Sequence, residues 1–182
     1  MPLQIDTTAM DETHLDYTYY DSPIGALLLA GTENALHVLS FPTGSRTRLP
    51  LKNWQENAKP FKKVIKQLDE YFSGERQEFD LTLHLTGTDF QKSVWQALSK
   101  IPYGETISYG ELASRIKRPK ASRAVGAANG ANNLPIILPC HRVIGANKTL
   151  TGFGGGLPTK EYLLNLEQAI APPSGQQGVL FG

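Results

Sequence analysis

The one cysteine of this chain lies beside a histidine in the segment LPCHRVIG, residues 138–145. A single cysteine cannot close an intramolecular disulfide and cannot build a zinc site from several thiolates. Cys140 is therefore either a small buried apolar side chain or a reactive thiol. Because a free thiol has a pKa of about 8.5, a nucleophilic cysteine needs a nearby base or cation to increase its small thiolate fraction.

His141 is the nearest base in sequence. Successive side chains point apart in an extended segment, so contact between His141 and Cys140 requires a tight turn or a bridging water. An acid that holds the imidazole in its useful tautomer must come from elsewhere. The predicted C-terminal helix PTKEYLLNLEQAI, residues 158–170, offers Glu161 and Glu167. A cysteine hydrolase would also use such a pair, so the pair does not define the reaction.

Basic residues are concentrated between Lys100 and Lys148, where eight lysines and arginines accompany two glutamates. This segment carries a net charge of +6, and the remainder of the chain carries −5, for a total of +1. A cationic segment on an otherwise acidic protein is typical of a protein that binds a polyanion such as DNA. A solvated surface with chance clustering of charges is the alternative, and a pure DNA-binding module would not explain the lone thiol.

The composition is that of an ordinary globular protein, with 40% hydrophobic and 19% charged residues. No apolar run approaches the roughly 20 residues that span a bilayer, so we expect no membrane association. The N-terminal segment MPLQIDTTAMDETHLD is acidic where a signal peptide is basic and then apolar. These features predict a cytoplasmic protein.

The predicted architecture is α+β, and residues 1–86 are expected to form an antiparallel sheet with one helix. Turn sequences at residues 22–25 and 31–34 divide an apolar region into a three-stranded meander. Apolar residues at helical spacing predict a helix over 61–72 that stops at Gly74. Residues 79–85 alternate like a half-buried strand, which places His84 on its polar face as a surface histidine rather than a metal ligand.

The next segment, residues 87–170, is predicted to be mainly helical. Thr88 with Gln91, and Ser108 with Glu111, match the capping box that begins a helix. A further helix is predicted just after Pro119, so two short helices joined by a tight turn form a helix-turn-helix candidate.

The second helix of this candidate begins with residues that are nearly all small, ASRAVGAA, residues 121–128. Apart from Arg123, these residues include no asparagine, glutamine or lysine that could read base edges in a major groove. Two interpretations are open: a core helix packed closely on its neighbours, or a slim helix in a minor groove with Arg123 as its one long side chain. The position of Arg123 close to Lys120 favours the second interpretation.

The combination PCHRV, SRAVGAANGANN, FQKSVWQAL, IPYGETISYGELA and GGGLPTKEYLLNLE resembles the O6-alkylguanine-DNA alkyltransferases. The resemblance is continuous over residues 88–167 and extends to SPIGALLLAG in the N-terminal part. It implies a ribonuclease-H-like N-terminal sheet and a C-terminal winged helix-turn-helix domain. It also implies a single-turnover DNA repair protein that flips O6-alkylguanine, and O4-alkylthymine, out of duplex DNA and moves the alkyl group irreversibly to its own cysteine. No cofactor and no metal are implied.

The same resemblance implies roles for particular residues. Cys140 is the alkyl acceptor, His141 deprotonates it through a water, and Glu167 orients the imidazole. Asn132 ties the recognition helix to the active-site turn, and Tyr109 donates to the guanine ring nitrogen and crowds the target phosphate.

DNA binding through the minor groove is implied for the start of the recognition helix, with Arg123 filling the space of the flipped base. The remaining implied residues contact DNA or form the substrate pocket: Ser122, Ala124, Val143, Phe153, Gly154 and Gly155. Departures from the family pattern occur at three positions: Asn133 stands where the family usually has proline, Phe153 where many members have tyrosine, and Gly154 where some have serine. Relatives that only recognise lesions have lost the cysteine, which this chain retains.

Residues 171–182, APPSGQQGVLFG, are predicted to be a flexible tail because Pro172, Pro173 and Gly175 cannot continue a helix. Three apolar residues nevertheless end the tail. Gln177–Phe181 resembles the short peptides with which bacterial repair proteins bind the sliding clamp. Folding back onto the protein's own surface is the alternative.

Overall fold

The computed structural model describes residues 3–146 and 152–168. The predicted tail, residues 171–182, lies outside the described residues. In the N-terminal lobe the elements are β1 (Gln4–Asp6), β2 (Asp16–Ser22), β3 (Gly25–Gly31), β4 (Leu36–Ser40), β5 (Gln55–Glu56), α1 (Lys62–Phe72) and β6 (Thr82–His84). The C-terminal elements are α2 (Asp89–Leu98), β7 (Ile107–Ser108), α3 (Tyr109–Arg115), α4 (Ser122–Gly130), β8 (Val143–Ile144) and α5 (Leu157–Leu166).

The N-terminal sheet has the strand order β1-β6-β4-β3-β2-β5. The predicted meander is confirmed, because β2, β3 and β4 pair antiparallel. The outer pairings β1–β6, β4–β6 and β2–β5 are parallel, so the sheet is mixed rather than purely antiparallel. These parallel partners are far apart in sequence, and no local turn signal could indicate them.

The predicted helix of the N-terminal lobe is confirmed as α1. Val64, Leu68 and Tyr71 form its buried face. The helix ends where Gly74 adopts φ +85°, a conformation that favours glycine.

The prediction for His84 was wrong. Its side chain is 1% exposed, because the His37 ring stacks on it with ring centres 4.4 Å apart and the Asp6 carboxylate lies 3.6 Å from its Nδ1.

The C-terminal lobe begins with a complete capping box at α2, where Thr88 Oγ1 accepts from the Gln91 amide and Gln91 Oε1 accepts from the Thr88 amide. At α3, Ser108 Oγ accepts from the Glu111 amide, whereas the Glu111 carboxylate pairs with Arg115. The helix-turn-helix is formed by α3 and α4, and α4 also packs on α2. The two strands β7 and β8 pair in parallel beside them.

One hydrophobic core joins the two lobes. It extends from the sheet through α1 to α2 and α5, and its large members include Phe61, Leu68, Tyr71, Trp95 and Leu163. The indole Nε1 of Trp95 donates to the Ala128 carbonyl over 2.8 Å, which fixes α2 against α4. The cysteine loop that precedes β8 is built against this shared core.

Candidate active site

Cys140 begins a single 3-10 turn, Cys140–Arg142, directly after Pro139. The segment is therefore not extended, so the two adjacent side chains are not forced to point apart. Cys140 is buried, with 4% of its surface exposed, and it lines a cavity of about 270 Å³. Burial raises the pKa of the thiol to about 11, opposed by a hydrogen bond to Asn132 and by the charge of Lys160. The resting group at neutral pH is therefore the thiol, which needs a base before it can attack.

Two asparagines at the end of α4 hold this turn. Asn132 donates from Nδ2 to the Leu138 carbonyl over 2.8 Å and accepts from the Leu134 amide over 2.9 Å. Asn129 donates to the Cys140 carbonyl over 3.4 Å. The helix that begins with Arg123 is thus connected by hydrogen bonds to the cysteine loop.

The His141 ring is fully buried and oriented by a carboxylate. Its Nε2 lies 2.7 Å from Glu167 Oε2, in the first residue beyond α5. Its Nδ1 has no hydrogen-bond partner among the described residues. Burial lowers the pKa of His141 below its ordinary value, with the Glu167 charge opposing this shift. A neutral ring that donates through Nε2 therefore keeps its Nδ1 lone pair available as a base. Glu167, and not Glu161, is the glutamate of this segment that pairs with His141.

Glu167 is shared by three donors, two of which the sequence did not indicate. Arg142 donates from Nε to Oε1 over 2.8 Å and from Nη2 to Oε2 over 3.1 Å. The Tyr71 hydroxyl, from α1, donates to Oε2 over 2.5 Å. Burial alone would raise the pKa of Glu167, but His141 and Arg142 outweigh it and lower this pKa to about 2. The carboxylate is thus permanently ionised at neutral pH.

Arg142 corrects the interpretation of the basic segment. Arg142 is one of the eight basic residues of the segment that was predicted to bind a polyanion. In the structure it is buried against Glu167, and it also donates to the Ile101 carbonyl over 2.6 Å. Its adjacency to His141 was the one available signal for a structural role.

Lys160 is a second buried cation that sequence reasoning missed. It is fully buried in α5, and its Nζ donates to the Val143 carbonyl over 2.7 Å. The ammonium lies 5.9 Å from the centre of the Phe153 ring. Burial lowers the pKa of Lys160 to about 8, opposed by its attraction to Cys140.

The cavity in front of Cys140 is enclosed by three segments. They are the end of α4 with the following turn, the loop at residues 152–154, and the loop after β4 that carries Arg46 and Arg48. Of the residues expected to form the pocket, Phe153 and Gly154 line it, whereas Val143 and Gly155 do not. Gly155 instead packs on Phe41, and a Cβ there would lie 2.5 Å from that ring.

The expected DNA contacts lie at the starts of α3 and α4. Arg123 and Ala124 are exposed and Ser122 is half-buried in the first turn of α4. Tyr109 is half-buried at the start of α3, and a Cβ at Gly126 would lie 3.7 Å from its ring. Tyr109 is not among the residues that line the Cys140 cavity.

Comparison with known proteins accounts for both lobes. Residues 89–169 match the family described as 6-O-methylguanine DNA methyltransferase, DNA binding domain, and residues 15–85 match its ribonuclease-like domain. The chain belongs to the 6-O-methylguanine DNA methyltransferase family. The activity of this family is DNA repair by direct transfer of an alkyl group from DNA to a protein cysteine.

Relatives from archaea and bacteria are similar over most of their length. The methylated-DNA–protein-cysteine methyltransferase of Methanosarcina acetivorans is 53% identical, over 83% of this chain and 97% of its own. That of Mycolicibacterium paratuberculosis is 50% identical, over 88% and 96%. The crystal structure of Mycobacterium tuberculosis OGT in complex with DNA has a TM-score of 0.81 at 50% identity and covers 85% of this chain and 93% of its own.

No helix in residues 3–146 and 152–168 is long and apolar enough to cross a membrane.

Proposed function

We propose that this protein repairs O6-alkylguanine, and O4-alkylthymine, by transferring the alkyl group to Cys140 in a single turnover. The observation that carries the proposal is a buried thiol that lines a cavity and is followed by a histidine oriented by an ionised carboxylate. The thiolate sulfur attacks the alkyl carbon, the carbon–oxygen bond breaks, and the base leaves with the electron pair and takes up a proton. The thioether formed has no route back to a thiol, so each molecule acts once.

His141 serves as the general base. Its unpartnered Nδ1 accepts the thiol proton through one water, while Nε2 remains hydrogen-bonded to Glu167. Glu167 then stabilises the imidazolium that forms, as the acid of a catalytic triad does. Lys160 favours the thiolate by its charge. No cofactor takes part, because the DNA supplies the alkyl group and the protein accepts it.

Negative charge develops on the base as it leaves, and donors in the site stabilise it. The Tyr109 hydroxyl donates to the ring nitrogen, and backbone amides of the Phe153–Gly155 segment donate to the substrate oxygen. Asn132 keeps the cysteine turn in place through its bonds to Leu138 and Leu134.

DNA is bound through its minor groove by α4. A base inside the duplex cannot reach a buried thiol, so the damaged nucleotide must rotate out of the stack. Ser122 and Ala124 allow close approach because they are small, and Arg123 enters the space that the base leaves. The two-lobed division at residue 86 then separates a supporting N-terminal lobe from a DNA-binding and acceptor lobe.

The chemistry is tested with an oligonucleotide that contains O6-methylguanine. Peptide mass spectrometry is expected to find one added methyl group per protein, on Cys140. Multiple turnover, or an unmodified Cys140 after repair, would contradict the proposal.

DNA flipping is tested separately by Arg123→Ala. The variant is expected to react normally with the free base O6-benzylguanine and slowly with alkylated duplex DNA, because only the duplex requires flipping. Lys66→Ala, an exposed change on α1, is the matched control. Equal losses on both substrates would assign Arg123 a structural role.

We also propose that Gln177–Phe181 binds a bacterial sliding clamp, with Leu180 and Phe181 in an apolar pocket and Gln177 at its rim. These residues lie outside the described residues, and the support is the sequence pattern alone. Such a tether would raise the local concentration of the protein on DNA. A fluorescent peptide of residues 171–182 is titrated with clamp; absence of saturable binding, or binding unchanged by Leu180→Ala with Phe181→Ala, contradicts the proposal. We also propose that the protein acts in the cytoplasm; the support is its free thiol, because reducing compartments keep thiols reduced.

A further inference from the structure

A second cavity, larger than the one in front of Cys140, is lined by residues of both lobes. Its volume of about 400 Å³ falls within the roughly 300–1,000 Å³ of small-molecule sites, and the Cys140 cavity has about 270 Å³. Residues 77–79 of the N-terminal lobe, residues 99–103 after α2 and the loop that leads into Cys140 all contribute to its wall. Of the described residues, none lines both cavities, so the alkyl-transfer site does not account for the second one.

Apolar side chains form most of the wall of this second cavity. Phe79, Ile101 and Ile137 are buried, and the half-buried Tyr103 ring lies beside them. Sites for small organic molecules have this composition, in which apolar walls supply affinity and a few polar groups fix the orientation of the ligand. A molecule that fits here must therefore present mainly apolar surface, and a planar ring can pack on Tyr103.

Arg142 supplies a buried polar group in the same wall, where its side chain is 8% exposed. A guanidinium carries five N–H groups. The bonds to Glu167 and to the Ile101 carbonyl use one N–H each on Nε, Nη1 and Nη2. One N–H of Nη1 and one of Nη2 thus make no hydrogen bond to any described residue. Because an unpaired buried donor is costly, these groups favour a ligand that carries an oxygen acceptor.

The charges around the second cavity balance one another. Arg142 is paired with Glu167, and the exposed rim carries one lysine and one glutamate, Lys100 and Glu78. An anionic ligand would approach the Glu167 carboxylate, and a cationic ligand would approach the guanidinium, so each would meet a like charge. The cavity therefore favours a neutral molecule.

The loop that leads into Cys140 forms its part of the wall in a strained conformation. Ile136 has φ +75°, which a β-branched residue rarely adopts. Strain of this kind occurs mainly at active sites and ligand-binding sites. The same loop contributes Ile136 and Pro139 to the second cavity and Pro135 and Cys140 to the first. One short segment thus lies against both cavities.

We propose that the second cavity binds a neutral aromatic molecule that carries a carbonyl oxygen. The ring packs among Ile101, Ile137 and Tyr103, and the carbonyl accepts from the remaining N–H groups of Arg142. No covalent bond forms or breaks, so this is a binding site and not a second active site. Its occupant touches Pro139 and Arg142, the two residues that flank Cys140 and His141 in the chain.

The test uses full-length protein with Cys140→Ser, which cannot take up an alkyl group, so the result does not depend on the proposed reaction. The ligand is Prodan, a neutral naphthalene ketone whose emission moves to shorter wavelength in apolar surroundings. We expect saturable binding of one molecule per chain. Dimethylaminonaphthalene has the same ring system without the ketone, and it is expected to bind about 10-fold more weakly because it cannot accept from Arg142. Absence of saturable binding, or equal affinity for the two compounds, would overturn the proposal.

Ser99→Trp is expected to abolish saturable binding, because Ser99 lines the second cavity and the indole would fill it. Ser93→Trp is the matched control: each serine hydroxyl donates over 2.6 Å to the carbonyl three residues earlier, but Ser93 is exposed and lines neither cavity. Circular dichroism verifies the fold, and Gln77→Trp, at an exposed position of the same wall, replaces Ser99→Trp if that variant does not fold.

Competition with O6-benzylguanine separates the two cavities. This compound is directed to the Cys140 cavity, so Prodan should remain bound when it is added. Displacement of Prodan by O6-benzylguanine, or equal Prodan affinity in the folded cavity-filling variant and in Ser93→Trp, would place the ligand elsewhere and overturn the proposal.

Discussion

At the scale of single residues, the site depends on one carboxylate that satisfies several groups at once. Glu167 neutralises the buried charge of Arg142, accepts from Tyr71 and fixes the tautomer of His141. A buried arginine without a counter-ion is strongly destabilising, so this residue serves the fold and the chemistry together. The sequence offered Glu161 and Glu167 as acid partners of the histidine, and only the family resemblance chose between them, because nothing local connects residues 71, 142 and 167.

Glu167→Gln is expected to lower the free energy of unfolding at pH 7 by roughly 3–5 kcal/mol, because it leaves Arg142 as an unpaired buried charge. The pKa of Glu167 is lowered from 4.5 to about 2 in the folded protein. Its stabilisation is therefore complete above pH 4.5 and is lost as the pH falls toward 2. Urea unfolding of both proteins over this range should show the difference shrinking at acid pH. A difference that is constant with pH would contradict the assignment.

Tyr71→Phe removes only the hydroxyl that donates to Glu167. Loss of a hydrogen bond to a charged group predicts a decrease of about 1.5–3 kcal/mol in unfolding free energy and slower alkyl transfer to Cys140. Tyr20→Phe is the matched control, because it removes a 2.6 Å bond to Asp69, and neither residue lines the Cys140 cavity. Reaction rates with O6-benzylguanine should fall for the first variant alone, and equal rates would show that Tyr71 does not influence the site.

At the scale of elements, the sequence predicted the helix ends that are determined by interactions within a few residues, but not the pairing of distant strands. The start of α2 follows from a capping box, and the end of α1 from Gly74, since each signal is contained within a few residues. The parallel pairing of β1 with β6 has no such signal. His84 shows the consequence: alternation indicates a solvent face only when nothing covers that face, and here the His37 ring stacks on the His84 ring.

The pocket loops depend on a glycine contact that sequence alone did not indicate. Gly44 has φ +108°, and a Cβ there would overlap the Gly154 carbonyl oxygen in the loop opposite. The Arg46 amide donates to the same carbonyl over 3.3 Å. The two loops thus approach closely enough to close the cavity around Cys140.

Gly44→Ala is expected to separate these loops and to slow the reaction with O6-benzylguanine. Gly74→Ala is the control, because Gly74 also has a positive φ but has open space around its Cα. Both changes incur a backbone cost of about 1–2 kcal/mol, which thermal unfolding would measure. Only Gly44→Ala should lower the single-turnover rate. Equal rates in the two variants would show that the contact between the loops does not affect the reaction.

At the scale of the whole molecule, the excess positive charge and the Cys140 thiol lie on the same, C-terminal lobe. The net charge of +1 is nearly neutral, yet the segment from residue 100 to 148 carries +6 in sequence. Burial of Arg142 against Glu167 removes one of these charges from the surface. The exposed cations that remain include Arg118 and Lys120 in the turn before α4, next to the helix that begins with Arg123. Exposed positive charge is therefore concentrated at the helix-turn-helix.

Replacing Arg118 and Lys120 together by glutamine is expected to weaken binding to undamaged duplex DNA and to reduce its salt dependence. Each phosphate contact contributes about −0.9 to the slope of log K against log salt concentration, because a condensed counterion is released. Loss of two contacts should therefore make the slope less steep by about 1.8. The matched control is Lys62→Gln with Lys66→Gln, which removes two exposed charges from α1 and lowers the net charge equally. Fluorescence anisotropy between 50 and 200 mM salt, roughly the range over which such slopes are resolved, measures both. If the two double variants lost the same slope, binding would follow the total charge of the protein, and the placement of DNA at the helix-turn-helix would be wrong.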